Sequence, residues 1–389
     1  MREKLSYAII LFILFLTSGS SWLANDKNVI IGGWLFFTAA YFYIENLIKP
    51  SFIILTSLFV LLSGVYFIKN SGYNEVTYLG FFMQIYLAYY CRQLCKEDFT
   101  TYFINIIFVL TAISIPLYII QLVNFDFLYH INNLFRADDG DEIIHNSILF
   151  TIVPIHEIRN CGFMWEPGAL AAVVTLTLYI NTFRHEESLF SLKNGVFMLA
   201  IVSTQSTMGV LSLMIPVSLV LLKTFSHNTI LKQLAVLIVP SLLILGYVLF
   251  NNVDFLAKKM ADELGGIEEE MAFVEQANRE QFLVSTTRTT SVLLDMETIK
   301  LYPLLGLGVD MKTTGASKQA IGEMTVTACG TTVLLLRFGI LGLIFYIFLF
   351  YKKSFFDNTI HRVGWVFLIF FILFSNDLSG SSLIHLFLF

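Results

Sequence analysis

Runs of about 20 apolar residues recur along nearly the whole chain, and a run of that length crosses a bilayer as one helix. Apolar windows fall near 5–23, 28–47, 51–68, 76–94, 100–123, 168–183, 194–206, 208–222, 231–250, 327–351 and 363–376. The first, LSYAIILFILFLTSGSSWL, follows a basic MREK start that resembles a secretory signal. Its length and the equal runs behind it mark it as an uncleaved first span. The last nine residues, SSLIHLFLF, are too short to span. They form a half-helix, or they continue the eleventh span after a break at SNDLSGS. Only 14% of the residues are charged and 56% are hydrophobic, against about 25% charged in soluble domains. The expected fold class is all-α: a polytopic transmembrane helix bundle of roughly 11–12 spans in one integral membrane domain, residues 1–389.

Short loops set the orientation. With the N-terminus cytoplasmic, the inner segments carry Arg2, Lys4, Lys49, Arg92, Lys96, Arg184, Lys193, Lys223, Lys232, Lys352, Lys353 and Arg362. The short outer loops carry only Lys27 and Lys69. That asymmetry obeys the positive-inside rule, whereas the net charge of -5 says little.

Two long segments remain for the outer face, 124–167 and 251–326. Loops of this length in a compact protein usually carry function. Apolar residues at helical spacing predict that both fold into a small helical cap. Ile267, Met271 and Val274 share one face of IEEEMAFVEQANREQF, with acids on the other. STTRTTSVLLDMETIKLYP reads as a second helix, with Ser or Thr as N-cap and Pro303 as its stop.

The two loops hold roughly nineteen acids against nine bases, so isolated arginines stand out. Arg159 and Arg288 offer planar donor forks that suit a phosphate. A salt bridge with Glu157 or Asp295 would account for either arginine as well. Glu166 precedes Pro167, a residue suited to the first helical turn, and the helix dipole favours a carboxylate there. Beside Trp165 and Phe163 the same carboxylate has the surroundings of a sugar-binding cleft, where it would accept a hydroxyl proton. The run STQSTMG, residues 203–209, predicts a tight outer turn or a broken helix facing water; Ser203, Thr204, Ser206 and Thr207 are its candidate substrate contacts.

Arg337 lies some ten residues into the tenth span, facing the bundle interior, with Asp377 as a candidate partner. Glu45 is close enough to the inner boundary to snorkel and has no assigned role. Cys161 and Cys329 both fall near the outer face, either as a bonded pair or as two small buried thiols. The seven histidines are scattered without an HExxH, and DDGDE at 138–142 reads as a solvated turn rather than a calcium loop. No Walker motif or GxGxxG is present. No metal, cofactor or nucleic-acid partner is expected.

Taken together, RNCGFMWEPGALA before a span, STQSTMG at the next outer turn, RTTSVLLDMETIKLYPLLGLG in the late outer loop and GTTVLLLRFGILGL after it resemble the bacterial O-antigen polymerase and ligase family. The resemblance rests on the order and placement of these motifs across most of the chain. It implies a metal-independent glycosyltransferase in the bacterial cytoplasmic (inner) membrane, acting at the outer face on undecaprenyl-diphosphate-linked oligosaccharide. It also implies a chain-length regulator and a flippase as partners. By position, Arg159 and Arg288 would be the family's loop arginines, with Glu166 as the base and Arg337 among the substrate contacts. Family ligases tend to carry a His-Asn pair ahead of the span that here begins TACGTT. No histidine stands there, which favours polymerase over ligase. A transporter or flippase is the alternative from another class.

Overall fold

The computed structural model describes residues 2–18, 27–45, 49–69, 75–131, 136–139, 142–147, 149–225, 271–272, 274–276, 284–285, 288–309, 325–326 and 329–389. In chain order its helices are α1 Arg2–Thr17, α2 Lys27–Glu45, α3 Pro50–Lys69, α4 Glu75–Cys95, α5 Phe99–Val123 and α6 Phe125–Ile131. There follow α7 Pro167–Phe183, α8 Leu192–Ser203, α9 Thr207–Phe225, α10 Arg288–Leu301, α11 Gly330–Lys352, α12 Thr359–Ser375 and α13 Ser382–His385. The strands are short: β1 Arg136–Asp139, β2 Glu142–Asn146 and β3 Thr151–Ile152 form one antiparallel sheet, and β4 Val284–Ser285 pairs in parallel with β5 Thr325–Val326.

Helix starts follow local chemistry. Pro opens α3 and α7, where its missing N–H costs nothing. The hydroxyl of Ser191 and the side-chain carbonyl of Asn358 accept the first free amides of α8 and α12, from Asn194 and Ile360. Between α4 and α5 the chain turns through Lys96, which takes a left-handed φ of 51°.

α7 is the axis of the protein. Every residue from Pro167 to Thr182 is buried, with α5, α8, α9 and α12 packed around it. Its polar residues are matched from neighbouring elements: Ser212 donates to Thr175, and Asn181 donates to Asn194, which in turn donates to Thr182 and to the Ser188 carbonyl. A second group packs α1, α2 and α13 against α4. There Glu45 bonds both Arg2 and Lys49 at the inner end, at 2.8 and 2.7 Å. The outward faces remain apolar: Phe36, Ile54 and Leu61, Phe348 and Phe367 are all exposed.

The described chain is mainly helical, as expected. Two stretches, Val76–Val123 and Gly330–Lys352, are long and apolar enough to cross a membrane, and they support a membrane protein. The other apolar helices searched are shorter. α8, at 12 residues, reaches about 18 Å, short of the ~30 Å of a bilayer core, because Ser191 and the turn after Ser203 cap it at both ends. The window at 231–250 and most of 251–326 lie outside the described residues.

The helical cap predicted for the first outer loop is corrected. After α6 that loop runs as the three-stranded sheet, with DDGDE at its β1–β2 hairpin. Leu128, Phe150 and Ile152 form its small core. The second loop keeps its predicted helix as α10, and Met271 and Val274 pack with Leu294, Ile299 and Leu307. The final residues form a half-helix: α13 and a turn at Leu386–Leu388, all buried.

Candidate functional site

Glu166 is the N-cap of α7, in an extended conformation (φ -145°, ψ 157°). Its side chain makes no capping bond to the helix it precedes. Instead the carboxylate turns toward the bare Cα of Gly168. A β-carbon there would stand 3.2 Å from Asn376 Oδ1, 3.4 Å from Glu166 Oε1 and 3.7 Å from Ser206 Oγ. Three oxygens from three distant stretches of chain thus surround one carbon-sized gap at the end of the axial helix.

Ser206 reaches that gap through the predicted tight turn. α8 ends at Ser203, Gln205 reverses the chain with a left-handed φ of 47°, and Thr207 opens α9. Gly209 brings α9 hard against α7: a β-carbon would lie 2.6 Å from that of Ala171. Ser203 and Thr204 are committed to this scaffold, donating to the carbonyls of Ala200 and Ile201. Thr207 keeps a buried hydroxyl with no hydrogen-bond partner. Ser206 and Thr207 are therefore the two members of the run left for a ligand.

Arg159 sits on the loop after β3, and its Nε donates to the Thr204 carbonyl at 3.1 Å. That bond ties the loop to the α8–α9 turn. Asn160 doubles the tie: its amide donates to Ser203 O at 3.1 Å and its side chain to Ser203 Oγ at 2.9 Å. From α5, Gln121 Nε2 spans the carbonyls of His156, Glu157 and Arg159, while Tyr118 donates to Ile158 O. A loop with this many fixed carbonyls holds Arg159 in place without help from its own charge.

Cys161 lies between the two charged groups. Burial pushes its thiol well above the usual range, the Arg159 guanidinium pulls it down and the Glu166 carboxylate pushes it up again. Both charges therefore act on one buried sulfur, and the cation and the acid share one neighbourhood. Cys161 and Cys329 are both buried and both free, so the bonded-pair expectation is not realised. Trp165 is half-buried against the main core beside Glu166.

Arg337 belongs to a second polar cluster. Its Nη1 donates to Ser379 Oγ at 2.9 Å, and that hydroxyl donates to Asp377 Oδ1 at 2.6 Å. The expected partner is reached through a serine. The segment SNDLSGS thus touches both clusters, Glu166 through Asn376 and Arg337 through Ser379. Just past Arg337, α11 is interrupted at Gly339 (φ 64°, ψ -170°). The stretch PLLGLG fills the interruption: Leu307 and Gly308 donate to the carbonyls of Leu336 and Arg337, and Ile340 donates to Pro303 O. Backbone groups freed by the break are satisfied inside the protein, which a helix interior requires.

The backbone of Arg288 opens α10. Its side chain lies outside the described residues, and so does its expected convergence with Arg159. On the buried face of α10, Asp295 accepts a hydrogen bond from Thr332 of α11. Among the described residues no group of three His, Cys, Asp or Glu could hold a metal ion.

Three residues at the site carry no motif. Gln121 is a lone amide in the apolar run of α5, a signal that could have marked it. Asn160 and Asn376 give no local sign of their roles. No family model, curated protein or solved structure matches this chain.

Proposed function

We propose that the protein is an integral-membrane polysaccharide polymerase, joining oligosaccharide repeat units carried on undecaprenyl diphosphate at the outer face of a bacterial cytoplasmic membrane. The observation that carries this reading is the pairing of Arg159 and Glu166 around Cys161, on a loop fixed by Gln121, Asn160 and the 203–207 turn. A fixed cation beside a carboxylate, at the end of an apolar axial helix, suits a charged headgroup whose tail stays in lipid. Exposed apolar side chains on the peripheral helices give the surface such a tail would meet.

In the proposed step a hydroxyl of one repeat unit attacks the anomeric carbon of another. The new carbon–oxygen bond forms as the bond to the diphosphate breaks, and the electron pair leaves on the phosphate oxygen. Glu166 takes the hydroxyl proton. Arg159, with Arg288, stabilises the charge that grows on the diphosphate.

The test is reconstitution. Purified protein in vesicles, given the lipid-linked repeat unit extracted from cells lacking this chain, is expected to produce a ladder of longer glycans. Arg159→Ala or Glu166→Ala should insert normally and yield only single units. A ladder of normal length from both variants would remove those roles.

The broken α11 beside Arg337 favours a second reading, a transporter, since interrupted helices with interior charges are common in that class. Flux of the lipid-linked unit across protein-containing vesicles with no new glycosidic bond would establish that reading instead.

A further inference from the structure

We propose that the gap at Gly168 receives a vicinal pair of sugar hydroxyls, Asn376 Oδ1 accepting one while Glu166 takes the proton of the other. This inference rests on the polymerase reading and adds to it a positioning residue and a feature of the acceptor sugar.

Gly168 supplies the first observation. It lies one residue inside α7, with an ordinary negative φ, so backbone conformation does not call for glycine there. Glycine in a helix is less favourable than alanine. Nor does close backbone packing demand it. The atoms a β-carbon would meet are the side-chain oxygens of Asn376, Glu166 and Ser206, all at 3.2 Å or more. The missing methyl leaves a space bounded by hydrogen-bonding groups.

Asn376 supplies the second. The residue is 2% exposed, and its Oδ1 has no hydrogen-bond partner. Buried polar atoms are nearly always paired, so an orphan facing a gap points to a ligand. The side chain is held there on both sides. Its Nδ2 donates to Ser375 Oγ, and its backbone N–H closes α12 on Ile372 O. Its backbone carbonyl accepts from Leu378 N and sits where a β-carbon on Gly330 would come within 2.6 Å.

The chemistry of the gap selects the occupant. A carboxylate and an amide carbonyl only accept, so they ask for donors. Two hydroxyls on adjacent ring carbons are donors at a fixed short spacing, matched to two acceptors on opposite sides of one gap. One hydroxyl loses its proton to Glu166 and attacks; its neighbour, held by Asn376, fixes the ring so that the correct oxygen faces the carboxylate. Asn376 acts through the substrate's position, not on the reacting bond.

The experiment uses the full chain in vesicles with the extracted lipid-linked repeat unit as probe. Gly168→Ala fills the gap and Asn376→Ala empties one side of it. Each is expected to raise the half-saturating concentration of that unit by about tenfold or more, the scale of one lost uncharged hydrogen bond. Gly168→Ala should do so with a thermal midpoint no lower than wild type, because alanine favours the helix. Asn376→Asp keeps the acceptor but sets a second carboxylate beside Glu166, so the acid limb of its rate–pH profile should move up by about one pH unit or more. Wild-type saturation in Gly168→Ala would overturn the proposal. So would a defect confined to Asn376→Ala, which would make Asn376 only a helix cap. No polymer from the wild-type chain, with this unit, would overturn the polymerase reading itself.

Discussion

Gly306 and Gly339 interlock backbone to backbone. A β-carbon on Gly306 would stand 2.6 Å from Gly339 N and 2.5 Å from Leu336 O, and one on Gly339 would stand 2.3 Å from the carbonyl of Leu304. Both have positive φ, 65° and 64°. Replacing either with alanine adds strain in a left-handed conformation, about 1–3 kcal/mol, besides the backbone clash. Gly306→Ala and Gly339→Ala should each lower the thermal midpoint of the purified protein by several degrees. Gly80→Ala, with open space around its Cα, should leave it level or raise it. Equal midpoints for all three variants would refute the interlock.

Arg159 is expected to need its guanidinium and not merely its charge. Nε is spent on Thr204 O, which leaves the terminal nitrogens to face a phosphate. Lysine has one nitrogen for both tasks. Arg159→Lys should insert at wild-type levels and lose about 10²-fold or more in polymer formation, the cost of removing a preorganised donor. The readout is the glycan ladder at equal protein. A full ladder from the lysine variant would show that charge alone suffices.

Gln121 should matter as much as the residues it holds. Without its amide, three carbonyls of the 156–159 loop lose a common donor. Misplacing a catalytic group by about 1 Å can cost 10²-fold. Gln121→Leu is expected to speed hydrogen exchange across residues 154–162 and to reduce polymer formation with the overall fold intact. Unchanged exchange in that loop would remove Gln121 from the support of Arg159.

Much of this arrangement was readable from periodicity, and the rest was not, for definite reasons. The apolar runs locate the helices, and Pro167 fixes the start of α7, because hydrophobic length and proline act locally. That α7 is the buried axis is invisible in its composition, since a lipid-facing helix and a central one are equally apolar. The sheet after α6 escaped because its strands are only 2 to 5 residues long, too few to separate a period of two from helical spacing. Glu166 and Ser206 were marked by their motifs. Asn376 reaches them from the far end of the chain, through tertiary packing that no local pattern encodes. Ser203 and Thr204 showed the right chemistry, but the turn they build consumes their hydrogen bonds.

Free, buried thiols make a direct chemical prediction. Cys91, Cys95, Cys161 and Cys329 are all buried and unbonded, and burial holds the Cys161 thiol in its protonated, unreactive form. Maleimide should label none of them rapidly in folded protein and four after denaturation. Migration on a gel should not change with reductant. Fast labelling of Cys161 in the native state would mean that the 159–166 loop opens to solvent.

The loop between α7 and α8 gives the stability a pH dependence. His185 Nε2 lies 3.0 Å from Thr100 Oγ1. Burial lowers its pKa below the ordinary 6.5; Arg184 and Lys193 lower it further, against an opposing pull from Glu187. As pH falls, the ring in the unfolded chain takes up a proton before the folded one does. Its contribution is therefore full above about 6.5 and is lost as pH drops through the folded value. Thermal midpoints measured in detergent from about pH 7.5 to 5 should fall toward the acid end, where an imidazole titrates. His185→Gln keeps a hydrogen-bonding side chain without the titration and should flatten part of that fall. A pH slope identical to wild type would assign the acid sensitivity to other groups.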